Sequence, residues 1–225
     1  MNPGPSVDPA VTDLLGLLAY AELGSFFRLT DDAALAPTLR DKGRLASLAA
    51  EEQRRYELLR ERLVEYGADP EEAMEPFVEP LDSWHARTEP QSWVESLVKT
   101  YVGDGIAGDF YRKVAELADP GTGSLVETVL AEESRGAFIS ETVRAALEED
   151  PALAGRLSLW ARRLVGEALS QAQQVAVARP RLAALLAEDG GGDDAGIGDL
   201  AAVTRMFGSI ADRHAARLKA MGLSD

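Results

Sequence analysis

Four acids in this sequence lie on apolar helix faces. Glu22 has Leu18, Ala19, Ser25 and Phe26 three and four residues away. Glu52 sits between Leu48, Ala49, Tyr56 and Leu59, and Asp104 between Thr100, Tyr101, Ala107 and Gly108. Glu132 shares a face with Leu125, Val129, Ile139 and Val143, while Glu133 shares the adjacent face with Val126, Leu130 and Ala137. Which of those two points inward stays open. A buried carboxylate is costly unless it is paired, protonated or bound to a metal. One such acid is most simply the edge of a stripe. Four at matching depth on four helices predict an internal polar site.

The spacing around these acids suggests a particular chemistry. Helix bundles that hold two metal ions take one acid from each of two helices and a Glu-x-x-His pair from each of the other two. Glu22 and Asp104 fit the single acids, and Glu52 and Glu132 fit the pairs. The residues three places on are Arg55 and Arg135. A guanidinium is always charged and has no lone pair to give, so it cannot ligate a metal, but it can bridge carboxylates. The position of a di-metal site is therefore expected at Glu22, Glu52, Arg55, Asp104, Glu132 and Arg135, with the arginines neutralising the acids. No cofactor is expected. The alternative is iron or manganese held through oxygen by Glu22, Glu52, Asp104, Glu132 and Glu133.

Six helical segments would position these residues. The first runs from about Asp8, a plausible N-cap ahead of Pro9, to Leu29. The second runs from about Thr38 to Tyr66 and stops at Gly67, with a stripe of Leu45, Leu48, Ala49, Tyr56, Leu59, Leu63 and Tyr66. From Gly67 to Pro90 the chain contains Pro70, Pro76, Pro80 and Pro90, which predicts an extended crossover without a long helix. The second helix is roughly 40 Å long. About 24 extended residues reach ~75 Å, enough to return along the bundle and make the second and third helices parallel. Further helices are expected at about Gln91 to Leu117, Ser124 to Glu148, Pro151 to Ala178 and Asp199 to Met221. Glu188 to Gly198 reads as a Gly/Asp-rich loop.

Two tight hairpins joined by one long crossover give an all-α, ferritin-like four-helix bundle with two additional C-terminal helices. A single domain, residues 1–225, is expected, with the core bundle at about 8–149 and the additional helices at about 151–222.

Composition narrows the function. The 225 residues carry a formal net charge of −15, so a broad basic face for nucleic acid is not expected. The dense basic clusters, Arg54-Arg55 with Arg60 and Arg62, and Arg162-Arg163, read as solvated helix faces. With no cysteine there is no disulfide, zinc–thiolate or thiol chemistry, and a cytoplasmic setting is expected. Residues 1–9 lack the basic and apolar regions of a signal peptide. The apolar run Leu14 to Ala21 is interrupted by Gly16 and is short for a bilayer, so no membrane partner is expected.

Three strings carry a resemblance to a known family: Leu14 to Glu22, Leu97 to Ile106 and Arg163 to Gln171, with His214 to Leu223 in keeping. Together they resemble the actinobacterial ferritin-like proteins related to the tRNA methylthio-isopentenyl-adenosine hydroxylases (MiaE-like). The resemblance covers most of the chain. It implies a ferritin-like fold and, in the hydroxylases, an oxygen-activating di-iron centre acting on tRNA. Glu22, Glu52, Asp104 and Glu132 match the family's acids, whereas Arg55 and Arg135 depart from its histidines. A metal-free, non-hydroxylating binding or assembly module is the first expectation, with a homodimer or a protein partner. An active di-iron or manganese oxygenase of the tRNA hydroxylase type is the alternative. tRNA as a partner rests on the resemblance alone.

The remaining signals are weaker. His85 in the crossover and His214 on the last helix read as structural or surface residues. Glu167, Gln171 and Gln174 form a polar line on the fifth helix, either a second inward site or, more simply, a hydrogen-bonded seam between helices. Trp84, Trp93 and Trp160 read as packing anchors. Gly190-Gly191-Gly192 lacks the lysine and the strand of a phosphate loop.

Overall fold

The computed structural model describes residues 8–117, 120–130, 134–182 and 197–223. It leaves out the side chains at 111, 113–117, 120, 122, 129, 130, 134, 135, 197–204, 206 and 207. The described chain is helical: α1 (Pro9–Asp32), α2 (Leu39–Glu65), α3 (Pro70–Arg87), α4 (Trp93–Leu117), α5 (Pro120–Leu130), α6 (Ser134–Glu149), α7 (Leu153–Ala178) and α8 (Ile197–Ala220). A short 3-10 turn, Ala33–Leu35, follows α1.

Local chemistry sets the helix ends. Asp8 caps α1 by accepting from the Ala10 N–H, with Pro9 in the first turn. Thr38 caps α2 through the Asp41 N–H. At the end of α2, Gly67 takes a φ of +74°, and the Ala68 N–H reaches back to the Leu63 carbonyl at 3.0 Å. That closes a Schellman motif, for which glycine is suited because it lacks a Cβ. Gly222, with a φ of +90°, ends α8 in the same way through Leu223 and Leu218.

The crossover departs from the sequence expectation, because it is the helix α3 with Pro76 and Pro80 inside it. Each interior proline removes a backbone hydrogen bond and costs about 3 kcal/mol. Two features offset this. Asp69 caps the helix, accepting from the Glu71 and Glu72 N–H groups, with Pro70 in the first turn. Ala73, Met74 and Phe77 are buried, and Leu81 packs beside them against the core. Gly16 lets α3 lie directly on α1, since a Cβ there would overlap the Ala73 carbonyl. Gly16 thus serves close packing, and α1 is continuous through it.

The fourth expected helix is also different in detail. Helix begins already at Pro120, and α5 and α6 flank residues 131–133, which lie outside the described residues. The expected loop at 188–198 falls almost wholly outside them too.

With its 3-10 turn, α1 is long and apolar enough to cross a membrane by length and composition. In the fold it is a core element, with Leu14, Leu15, Leu18 and Ala19 buried against its neighbours.

Two apolar cores stack along the bundle. One gathers Leu14, Leu15 and Leu18 of α1, Leu59 and Leu63 of α2, Phe77, Phe110 and Ile210. The other gathers Leu29, Leu45, Leu48, Leu97, Val98, Ile139, Leu157, Leu164 and Leu218. Between them, helix after helix switches from apolar to polar. On α1 the residue in that gap is Glu22, on α2 Glu52 and Arg55, on α4 Asp104, on α7 Gln171, and on α8 His214 and Arg217. The polar layer crosses the middle of the bundle.

Candidate functional site

Glu22 and Glu52 are 4% and 2% exposed, so the fold places both carboxylates in its interior. Arg55, one turn beyond Glu52, brings its guanidinium between them. Its Nη1 lies 3.2 Å from Glu52 Oε2 and donates a hydrogen bond to it, and lies 3.7 Å from Glu22 Oε2. Arg55 Nη2 lies 3.9 Å from Glu51. One cation therefore faces two buried anions across the α1–α2 contact. Asp104 of α4 is half-buried and lines the same space. The structure thus brings together Glu22, Glu52, Arg55 and Asp104. Glu132 and Glu133 lie outside the described residues, as does the side chain of Arg135.

These residues border a cavity of about 510 Å³. Small side chains make room for it: Gly103, Gly105 and Gly108 on α4, and Ala168, Ala172 and Ala176 on α7. Leu17, Ile106 and Val175 add apolar wall. The volume falls within the range of about 300–1,000 Å³ usual for small-molecule sites.

Towards one end the cavity meets a second charged group, which sequence reading missed. Lys99 is buried and donates to the Thr88 carbonyl at 2.7 Å and the His85 carbonyl at 3.4 Å, closing the C-terminus of α3. Its Nζ lies 5.0 Å from the centre of the Trp84 ring. Burial draws the Lys99 pKa down to about 8, although Asp32 opposes the change. Burial pushes Asp32 up to about 6, against the pull of Lys99 and Arg28. His85 is buried beside them, and burial, then Lys99 and Arg28, draw it down to about 3. It is a neutral internal imidazole. The sequence signal was a lysine on an inward stripe, three residues before Val102.

A third group was missed as well. Asp109 is buried, and Arg112 Nη1 donates to it at 2.6 Å. Arg213 Nε lies 3.2 Å away, and Arg217 Nη2 donates to the same carboxylate. Burial alone would raise the Asp109 pKa, but the hydrogen bond and charge of Arg217, with Arg112 and Arg213, hold it below the usual range. An Asp-x-x-Arg pair at helical spacing was visible in the sequence. Its two partners on α8 were not.

The other expectations resolve residue by residue. Trp84 donates through Nε1 to the Leu164 carbonyl at 3.2 Å, and Trp160 to the Glu95 carbonyl at 3.0 Å, so both anchor helices. His214 is buried on α8. The expected seam on α7 does not form as one unit. Glu167 lies 3.6 Å from Arg87 of α3, Gln174 is exposed, and Gln171 turns into the cavity.

The fold has a solved counterpart. The structure of protein 19 with aldehyde deformylating oxidase activity, from Synechococcus, superposes with a TM-score of 0.67. It shares 17% identity over 98% of this chain and 93% of that one, a likeness that shows the fold. No curated protein matches the sequence. The family model for the ferritin-like domain of actinomycetes matches residues 5–189, most of the chain, and the protein belongs to that family.

Proposed function

We propose that this protein is a metal-free ferritin-like binding module, in which Arg55 supplies the central positive charge and the adjoining cavity holds an apolar small molecule. The observation that carries the reading is the Arg55 guanidinium facing both Glu22 and Glu52. The donor set does not fit a di-iron centre of the Glu-x-x-His kind. At the position of one imidazole stands a group without a lone pair, already engaged with the two acids that would have to ligate.

The interior is still built as a site. A pocket of this size beside a fixed polar layer suits a small ligand with an apolar body and a few oriented polar contacts. Kinship with oxygenases, including the tRNA hydroxylase type, then reflects ancestry of the fold. The net charge of −15 disfavours a polyanionic substrate.

The test has two parts. The protein is expressed with added iron or manganese and its metal content measured, and a neutral apolar dye such as Nile red is titrated against it. The reading expects far less than stoichiometric metal, together with saturable dye binding that small apolar molecules reverse. A stoichiometric pair of metal ions per chain would establish the oxygenase alternative instead. Metal-free protein that binds no dye would leave a purely structural bundle.

A further inference from the structure

Gln171 is a buried polar group in the cavity that the proposed function leaves without a role. It is 6% exposed and sits on α7 among Ala168, Ala172 and Val175, which also line the cavity. Both its Nε2 and its Oε1 are shut off from solvent and have no hydrogen-bond partner among the described residues. A primary amide offers two donors and two acceptor lone pairs. Leaving both ends of it buried and unmet is uncommon in a native interior, and it destabilises the fold. A leucine would fill the same place without that cost, so the residue type points to a task.

The position of Gln171 narrows the task. On α7, Leu157, Ala161 and Leu164 belong to one apolar core, and Val175 and Ala176 pack on the other. Gln171 falls between them, in the layer of Glu22, Glu52, Arg55 and Asp104. Helices α4 and α7 run in the same direction, from the Trp160–Glu95 contact to the level of Trp84, which touches both Leu164 and Gly103. Continued along both helices, this register sets Gln171 about level with the turn of α4 that holds Gly105 and Asp109. Arg217 of α8 sits on that same turn. Its Nη2 is bound to Asp109, while its Nη1 lies over Gly105, buried and with no partner among the described residues. Arg217 also lines the cavity.

The free valences are thus a donor and an acceptor side by side on Gln171, and a cationic donor on Arg217. We propose that Gln171 is the recognition residue of this cavity, and that its ligand is an apolar molecule ending in a carboxamide or carboxylic acid head group. The ligand's carbonyl oxygen accepts from Gln171 Nε2 and Arg217 Nη1. The N–H of an amide, or the O–H of an acid in its protonated form, donates to Gln171 Oε1, and the apolar body lies along Leu17, Ile106 and Val175. This deepens the binding-module reading and rests on it.

The experiment uses the full-length protein and displacement of Nile red by decanamide, decanoic acid and decane. Wild type is compared with Gln171→Leu and, as a second apolar replacement of different shape, Gln171→Met. One or two hydrogen bonds lost to a ligand correspond to roughly a tenfold or greater loss of affinity. Both variants should bind decanamide and decanoic acid that much more weakly, with affinities for dye and decane unchanged. Their empty forms should melt above wild type, because an unmet polar group has been removed. Equal affinity of variant and wild type for the head-group ligands would overturn the proposal while leaving the binding cavity in place. Failure of wild type to bind dye or any of the three ligands would overturn both. Misfolding of both variants would make Gln171 a structural residue and also refute it.

Discussion

Removing the Arg55 guanidinium should be among the most damaging single changes in this protein. Arg55 is 15% exposed at its side chain and faces two carboxylates that are more buried still. With an effective dielectric constant of 20, charges 3.2 Å and 3.7 Å apart attract by about 5 and about 4.5 kcal/mol. Most of that gross attraction offsets the cost of bringing the ions out of water. When one partner is deleted the cost remains, so breaking a buried pair destabilises by about 3–5 kcal/mol. Arg55→Ala and Arg55→Met should both lose that amount, a large share of a stability of about 5–15 kcal/mol. Equilibrium urea unfolding at neutral pH gives the difference from the midpoint and slope. A triple variant, Glu22→Gln, Glu52→Gln and Arg55→Met, should recover much of the loss, because it removes the stranded charges. A change within ~0.5 kcal/mol for Arg55→Ala is what an ordinary surface position gives. Either that result or a triple variant weaker than Arg55→Met would refute the idea of a buried charge bridge.

Four other outcomes follow from particular contacts. Gly16→Ala should destabilise by at least about 1–3 kcal/mol, the range for overpacking, since the new Cβ meets the Ala73 carbonyl; thermal unfolding reads this directly. His85 titrates at about 3 in the fold against 6.5 unfolded, so stability it leaves intact above pH 6.5 is lost as the pH falls toward 3. The loss is about 5 kcal/mol, and His85→Leu should therefore unfold at lower pH than wild type in an acid titration followed by circular dichroism. Asp109 has its pKa depressed, so its contribution is present above about pH 3.8 and disappears as the pH drops through its folded value. Asp109→Asn should cost about 1–3 kcal/mol at pH 7, less than a fully buried pair because Arg112 and Arg213 are half exposed, and should flatten the acid limb of a stability–pH curve. Finally, Arg55→His combined with Arg135→His rebuilds both Glu-x-x-His pairs; it should bind iron measurably more than wild type, and equal metal content in the two would argue against the arginines as the block.

Much of this was readable in the residues alone, for physical reasons that can be named. The three–four spacing of Leu45, Leu48, Leu59 and Leu63 marks α2, and their burial follows from it. Asp8-Pro9, Thr38 and Gly67 mark helix ends because each satisfies, or frees, specific backbone groups. Glu22 and Glu52 were visible as acids on the wrong face, and Arg55 as a cation one turn from Glu52. The crossover was misread because four prolines were weighed by intrinsic propensity. The Asp69-Pro70 cap and the stripe of Ala73, Phe77, Leu81 and Trp84 carried the opposite signal, and packing against α1 outweighed the prolines' propensity.

The polar groups that sequence reading missed share one property: their meaning depends on partners far along the chain. Lys99 closes α3 through carbonyls 11 and 14 residues away, and Asp109 meets Arg217 across 108 residues. Gln171 was the hardest to place, because the inward site and the seam share one helix face. On a helical wheel it joins Glu167 and Gln174, yet only Gln171 falls in the layer where both apolar cores stop. Local spacing identifies a face; the depth along the bundle decides whether a polar residue on it meets solvent, a partner or a cavity.

We propose that an arginine, with no metal ion, completes the acids at the middle of this bundle. The most direct test is a crystal structure of protein grown with added iron and manganese, with anomalous data collected at the absorption edges of both metals. The expected result is no anomalous peak between Glu22 and Glu52, and Arg55 Nη1 within reach of both carboxylates. A strong peak there, with Arg55 turned out to solvent and the two acids ligating, would contradict it.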